Sequence, residues 1–340
     1  MVHVGPSVEG LGGIESVIRA YVTQQWSALD MHAVASWRGT EGDGGKQPVR
    51  TFLEAMSQLR KIIQTNTDTV IHIHVSHLGS FIREGALAFF FRRKNRVVLT
   101  VHGSAFVSTS NSLPWRLIYR AVLSRASAVC VLNEGAYKRV VQLAPQQTVK
   151  LATNPPPTPP AMVPTPVEKT ERIVIFAGSV GRRKGVDTLL DAWAEVTKQV
   201  PDAQLHLYGP LERDFHVSGK NVVSKGRVTE LHVCEALGKS RVAVLPSRAE
   251  AMPIFVIEAL QAGRPTIVSA VGAMPEQIGK GGVVVQPEDS STLAASIIHY
   301  LCDPGAAAAD GQLARRMYDE KYSRTRLESE LLETYGLVQR

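Results

Sequence analysis

Seven prolines fall between residues 155 and 166, in the stretch "PPPTPPAMVPTP". A proline ring locks φ and removes the backbone N–H, so no helix interior or central strand tolerates that density. The tract is read as an extended linker over residues 154–168. On its N-terminal side, β-rich runs such as "TVIHIHVS", "RVVLTVH" and "SAVCVL" alternate with helix-like segments such as "RTFLEAMSQLRKIIQ" and "LPWRLIYRAVLSRA". Beyond it the alternation restarts with "RIVIFAG", "AQLHLYG", "RVAVLPS", "PTIVS" and "GGVVVQP". Strands and helices alternating in this way imply parallel sheets covered by helices on both faces. The expected fold is therefore α/β: two doubly wound, Rossmann-like domains over residues 1–153 and 169–320. Residues 321–340 form a last helix that packs back on the first domain. Ligands in such sheets bind beyond the carboxyl ends of the strands, so the cleft across which the two domains face each other is the expected site.

Charge is unevenly placed. The net charge is +7, yet residues 1–160 hold 17 Lys and Arg against 9 Asp and Glu, and residues 161–340 hold 21 against 22. The basic excess lies in the first domain and points to an anionic partner there, with nucleic acid, a membrane surface or an acidic acceptor as the classes to weigh. No run approaches the roughly 18 apolar residues that a membrane span needs. The opening "MVHVGPSVEG" has neither the charged start nor the apolar core of a signal peptide and reads as a strand entering a glycine-rich turn. Cys130, Cys234 and Cys302 lack metal-ligand spacing, which fits reduced thiols in a cytoplasmic protein.

The most informative stretch is "LPSRAEAMPIFVIEAL", residues 245–260. Proline favours the first helical position, so the helix is predicted to start at Pro253, with Glu250 in the preceding turn. Glu258 then lies between one and two turns in, flanked by Ile254, Phe255, Val256, Ile257, Ala259 and Leu260. An acid in so apolar a helix needs partners. Between the two carboxylates lie the unpaired N–H groups of a helix N-terminus, a ready anion site. Acceptor, anion cradle, acceptor: the layout fits a ligand with hydroxyls at both ends and phosphate between them.

Three further motifs bear on that ligand. The first strand runs into "GPSVEGLGG", and Gly12 and Gly13 precede a helix, which lets backbone approach a phosphate. The spacing is not that of a dinucleotide fingerprint, and no acid closes a second strand, which argues against NAD. In "FAGSVGRRKG", Arg182, Arg183 and Lys184 precede a helix start, where cations oppose the macrodipole and an anion would offset the cost. His102 stands just past a buried-looking strand, where catalytic groups collect, whereas His72, His74 and His77 show no helical metal-pair spacing.

Together these residues resemble the family 4 retaining glycosyltransferases of GT-B architecture, nearly end to end. The resemblance rests on Gly12-Gly13, His102, "FAGSVGRRKG" and above all "PSRAEAMPIFVIEALQAGRPTIVSAVGAMPEQI". It implies that Glu258 binds a nucleotide ribose and Glu250 the hydroxyls of the transferred sugar. Backbone amides of Ala251, Met252, Pro253's neighbours and Ile254 would meet sugar and phosphate. Lys184 would neutralise the diphosphate, His102 would sit beside the anomeric centre, and Arg227 and Val228 would edge the base. Catalytic roles thus fall to His102, Lys184 and Glu250. The sequence departs from the family in two places: Ser179 stands where an arginine is usual, leaving Arg182 to supply the charge, and Ala251 replaces a glycine.

The implied reaction moves a hexosyl group from a UDP- or GDP-sugar to an acceptor hydroxyl, with retention and without a cofactor. The sequence has no Asp-x-Asp, the usual acidic metal anchor, so no metal is expected. The acceptor is expected to be a sugar or a lipid-linked sugar, in cell-surface polysaccharide or glycolipid synthesis. "FIREGALAFFFRRKNR" adds an anionic membrane surface as a partner of the first domain and a peripheral site on the inner face of the plasma membrane. A nucleotide-sugar epimerase of the same fold has no evident reason to keep both glutamates. A basic nucleic-acid binder is poorly served by 6% aromatic content and no base-stacking motif, so no nucleic-acid partner is expected.

Overall fold

The computed structural model describes the chain except residues 11, 39–46, 67, 77, 157–162 and 338–340. His77 and the middle of the proline tract therefore lie outside the described residues. Two compact units result: Met1–Pro155 with Arg324–Arg340, and Pro156–Ser323.

The first unit begins β1 (Val2–Pro6), α1 (Gly13–Thr23), β2 (His32–Trp37), α2 (Gln47–Thr65), β3 (Ile71–Val75) and α3 (Leu78–Phe91). It continues through β4 (Val97–Val101), α4 (Phe106–Thr109), α5 (Leu113–Leu123), β5 (Ala128–Val131), α6 (Glu134–Leu143) and β6 (Val149–Leu151). The sheet order is β2-β1-β3-β4-β5-β6, with every pairing parallel. Strands β3 and β4 are buried along their whole length, which explains their nearly continuous apolar, β-branched sequence. The polar exceptions are His72, His74 and Thr100. Side chains alternate along a strand, so His72 and His74 share one face of β3, and the register sets His3 beside His72 and Thr100 beside His74.

The second unit holds a 3₁₀ turn (Val167–Lys169), β7 (Ile173–Ala177), α7 (Val186–Gln199), β8 (Gln204–Tyr208), β9 (Val222–Gly226) and α8 (Glu230–Leu237). There follow β10 (Val242–Leu245), α9 (Ile254–Gln261), β11 (Thr266–Ser269), α10 (Met274–Ile278), β12 (Gly282–Val285), α11 (Ser290–Cys302) and α12 (Pro304–Lys321). Its sheet order is β12-β11-β10-β7-β8-β9, again all parallel. The chain steps from β7 to β8 and β9 on one side, then returns to place β10 on the other. The gap between the carboxyl ends of β7 and β10 is thus the topological switch point, where such sheets bind ligands.

Residues 163–168, at the end of the expected linker, are anchored in the second unit. Thr165 N–H bonds Gly238 O at 2.9 Å, Val167 is buried, and the wholly buried Arg264 guanidinium donates to Thr165 O. The last helix, α13 (Arg324–Tyr335), belongs to the first unit: Glu328 accepts from Ala28 N–H at 2.6 Å, and Tyr335 OH meets His72 Nδ1 at 2.7 Å. The three cysteines are free thiols, and no helix of the described residues is long and apolar enough to cross a membrane.

Candidate functional site

In the second unit, glycines let backbone segments meet at the switch point. Gly178, just after β7, has φ +150°, and a Cβ on Gly209 would collide with its carbonyl. Gly185 caps α7 at φ +70°, and a Cβ there would strike Pro246 O, just past β10. That close approach brings the residues after β7 against those after β10. Lys184 Nζ consequently lies 2.5 Å from Glu250 Oε1, and Ser247 Oγ donates to the same oxygen at 2.9 Å. Only 14% of the lysine side chain and 9% of the glutamate side chain remain accessible.

The cations beside them are already engaged. Arg248 forms a two-point pair with Asp187 at 2.7 and 3.0 Å and also meets Glu288 at 2.9 Å. Arg182, largely exposed, meets Asp187 at 3.3 Å. Burial works to raise the Asp187 pKa, but hydrogen bonds from Arg248 and from backbone N–H groups outweigh it and hold it below the usual carboxylate value. The misplaced positive charge at the start of α7 is therefore met by an acid of the helix's own first turn. Ser179 Oγ bonds Glu212 Oε1 at 3.0 Å. The fold joins Lys184 to Glu250; it pairs Arg182 with Asp187 and Ser179 with Glu212 instead.

The loop from Glu250 to Pro253 is clamped from below by "VGAMPE". Gly272 has φ +58°, and any Cβ there would press on the carbonyls of Glu250 and Ala251. Ala273 N–H bonds Ala251 O at 2.8 Å and Gln277 Nε2 bonds Pro253 O at 3.2 Å. Ala251 is absent from the positive-φ residues, so its side chain is accommodated without strain. Helix α9 begins at Ile254, one residue later than expected, because Pro253 keeps an extended ψ of 135° and serves as N-cap. The α9 N-terminus, Ala251, Met252 and Glu250 thus share one edge of the switch point.

Glu258 is 5% exposed, and no hydrogen bond or ion pair found among the described residues reaches its carboxyl. Burial, reinforced by Glu230 at the start of α8, pushes its pKa up to about 8. Arg227 and Val228 lie between β9 and α8; Arg227 is exposed, Val228 packs on the core, and Thr229 caps α8. Sequence reasoning did not single out Ser247, Arg248 or Glu212, and it gave no role to Asp187 or Gly272. Of these, Gly272 within "VGAMPE" carried the readable signal, a glycine opposite a functional loop.

In the first unit, Gly12 caps α1, but Glu15 folds its carboxylate under Gly10 and Gly12, against the start of the helix. Gly13 stands in open space. His102 follows β4, with its N–H bonded to Val75 O at 2.8 Å. Gly103 lets this segment close on Ser76, whose carbonyl a Cβ would strike. Burial pushes the His102 imidazole down to about 3. Its Nε2 meets His74 Nδ1 at 2.9 Å, and His74 Nε2 meets His3 Nδ1 at 2.9 Å.

His3, His72 and His74 each bring a ring nitrogen within 4.8 Å of the others. His72, however, stacks on His74 at 4.5 Å and 19°, while His3 lies beside His74, near-coplanar at 23° and joined to it edge to edge through Nδ1 and Nε2. Nitrogen lone pairs lie in the ring planes, so the stacked His72 and His74 do not aim theirs at one tetrahedral ion. Both nitrogens of His72 are also taken, by Tyr335 OH and by Thr100 Oγ1 at 2.6 Å. The cluster does not fit a metal centre.

Two doubly wound units with a charged pair at a switch point define a class, and comparisons with known proteins agree with it. Residues 171–303 match the family model "Glycosyl transferases group 1", and residues 25–133 match "Glycosyl transferase 4-like". Sucrose-phosphate synthase from Thermosynechococcus elongatus superposes with a TM-score of 0.75 and 20% identity, over 99% of this chain and 98% of its own. Anabaena HepE, solved with UDP-glucose, gives 0.72 and 16% over 99% of each chain. A GDP-mannose-dependent monoacylated α-(1-6)-phosphatidylinositol monomannoside mannosyltransferase of Corynebacterium glutamicum is 30% identical over 155 residues, 42% of this chain and 41% of its own. The architecture is GT-B. The chain belongs to the family 4 glycosyltransferases.

Proposed function

We propose that the protein transfers a hexosyl group from a nucleoside-diphosphate sugar to an acceptor hydroxyl, with retention and without a metal. The observation that carries this reading is the Lys184–Glu250 pair at the β7/β10 switch point, with the buried Glu258, whose carboxyl no hydrogen bond or ion pair reaches among the described residues, on the helix that follows. The donor's diphosphate takes the place beside Lys184 and the α9 N-terminus, where a departing phosphate is stabilised by fixed charge and backbone dipoles. Glu250, released from the lysine, accepts hydrogen bonds from hydroxyls of the transferred sugar. Glu258 accepts from the ribose, and Arg227 with Val228 edges the base. His102 in the first unit serves the reacting sugar, and the leaving phosphate itself takes the acceptor proton. Arg182 follows the diphosphate only if it leaves Asp187.

The solved relative with UDP-glucose and the GDP-mannose-dependent relative support a nucleotide-sugar donor and leave the base open. The latter's phosphatidylinositol monomannoside acceptor supports a lipid-linked acceptor. The test is incubation with UDP- and GDP-sugars, alone and with glycolipid or oligosaccharide acceptors, followed by analysis of products and anomeric configuration. Retained configuration in a transferred sugar is expected. An epimerised nucleotide sugar, or no turnover with stabilisation by nucleic acid, overturns the reading.

A further inference from the structure

Three histidines of the first unit form one hydrogen-bonded file: His3 Nδ1 to His74 Nε2 at 2.9 Å, then His74 Nδ1 to His102 Nε2 at 2.9 Å. His3 and His74 are buried on adjacent strands, while His102 is half-buried at the end of β4. Burial first, then the neighbouring rings, hold the His3 and His74 pKa values well below 6.5, so both rings are neutral. A neutral imidazole has one N–H and one bare nitrogen, and each of the two contacts needs one proton. Only two arrangements satisfy both. In one, every ring is protonated on Nε2; in the other, every ring is protonated on Nδ1.

The far end of the file separates them. His3 Nε2 is buried and has no hydrogen-bond partner among the described residues. In the first arrangement it is an orphaned N–H; in the second it is a bare nitrogen. Orphaned buried N–H groups are rarer than under-satisfied acceptors. The rest of the surroundings holds the file in place: His3 stacks on Tyr21 at 4.4 Å, and His72, fixed by Tyr335 and Thr100, stacks on His74. We propose that His3 and His74 are positioning residues that fix the tautomer of His102, so that it presents Nδ1–H as a hydrogen-bond donor to a substrate oxygen. His102 is then a neutral donor and not a general base. The functional part of this proposal rests on the reading above that His102 serves the reacting sugar.

The test begins with ¹⁵N-histidine NMR of the ligand-free full chain. His3, His74 and His102 are expected to be neutral and protonated on Nδ1, with N–H···N couplings across both contacts. Protonation of His102 on Nε2, missing couplings, or a common shift of the three rings on addition of Zn²⁺ overturns the proposal without reference to activity. His74→Leu and His74→Asn then test the consequence. The leucine variant should lower kcat roughly tenfold, the worth of one hydrogen bond, while KM for the donor changes little. The asparagine variant, whose amide can still donate to His102 Nε2, should recover most of that loss. Equal losses in both folded variants overturn the positioning role. Spectra as expected together with full activity of His102→Ala would instead overturn the placement of His102 at the reacting sugar.

Discussion

Lys184 Nζ and Glu250 Oε1 lie 2.5 Å apart, joining the turn after β7 to the turn after β10 across the switch point of the second sheet. In the ligand-free protein each charge neutralises the other, and Ser247 completes the hydrogen bonding of the carboxylate. On the proposed function, donor binding divides this pair, with phosphate at Lys184 and sugar hydroxyls at Glu250. On that reading the lysine exchanges the Glu250 carboxylate for the diphosphate, whose charge it meets together with the backbone N–H groups that start α9.

Lys184→Ala should lower turnover more than donor affinity, because charge on the departing diphosphate grows in the transition state. The expected loss in kcat is roughly 10²–10³-fold, the range for removal of one preorganised electrostatic group. Steady-state kinetics and nucleotide binding, measured on the same preparation, check it. A variant with weakened binding but unchanged kcat would show that Lys184 holds the ground state only.

Glu258 gives a pH prediction. Its pKa in the folded protein, about 8, lies above the ordinary 4.5, so the folded state binds the proton more tightly than the unfolded one. The stabilising contribution of the neutral acid is complete below about pH 4.5 and is lost as pH rises through about 8. Glu258→Gln, which stays neutral, should therefore be more stable than the parent at pH 8, by roughly 3–5 kcal/mol, with the difference vanishing near pH 4. The same change should weaken nucleotide binding by roughly 1.5–3 kcal/mol once the parent's carboxylate is ionised. Thermal unfolding and calorimetric titration at pH 6 and 8.5 check both signs. Equal nucleotide affinity at both pH values in parent and variant would make Glu258 a structural acid.

Metal independence is tested directly. With Lys184 and a helix N-terminus supplying the charge, and no Asp-x-Asp in the sequence, transfer should persist in excess EDTA. Complete loss that Mg²⁺ or Mn²⁺ restores would sink this part of the proposal.

The two-sheet α/β fold was legible in the sequence. Proline density and strand–helix alternation carried the two-unit fold, since both are local properties. Glu258 and Lys184 stood out because an acid in an apolar helix and cations at a helix start each break a local rule, and Glu250 because it precedes that helix by one turn. What fills the broken rule was not readable. Asp187 and Arg248 are 61 residues apart in sequence and meet only through the packing of α7 on the end of β10. The histidine file escaped for the same reason: "HIH" shows two rings on one strand face, but His3 and His102 join it through register alone.

The first unit's surface carries the last prediction. Of the three consecutive phenylalanines at the end of α3, Phe91 is buried, while Phe89 is 43% and Phe90 60% exposed. Arg92, Arg93 and Lys94 follow, all exposed. Helix α5 packs against α3 and leaves Leu113 and Leu117 exposed, interleaved with Arg116 and Arg120. Arg125 covers the Phe89 ring at 4.7 Å, so Phe90 is the freer of the two outward rings. Apolar side chains beside cations are the composition by which a surface helix binds anionic lipid. Each Lys or Arg held near such a surface contributes about 1 kcal/mol and is screened by salt. Replacing Arg92, Arg93 and Lys94 with Ser should therefore weaken binding to phosphatidylserine-containing vesicles on the order of a hundredfold. Phe90→Ser should weaken it without altering the salt dependence, because that side chain contributes area and not charge. Co-sedimentation across lipid composition and ionic strength checks both. Binding that is indifferent to lipid charge and to all four substitutions would leave α3 and α5 with a basic surface and no membrane role.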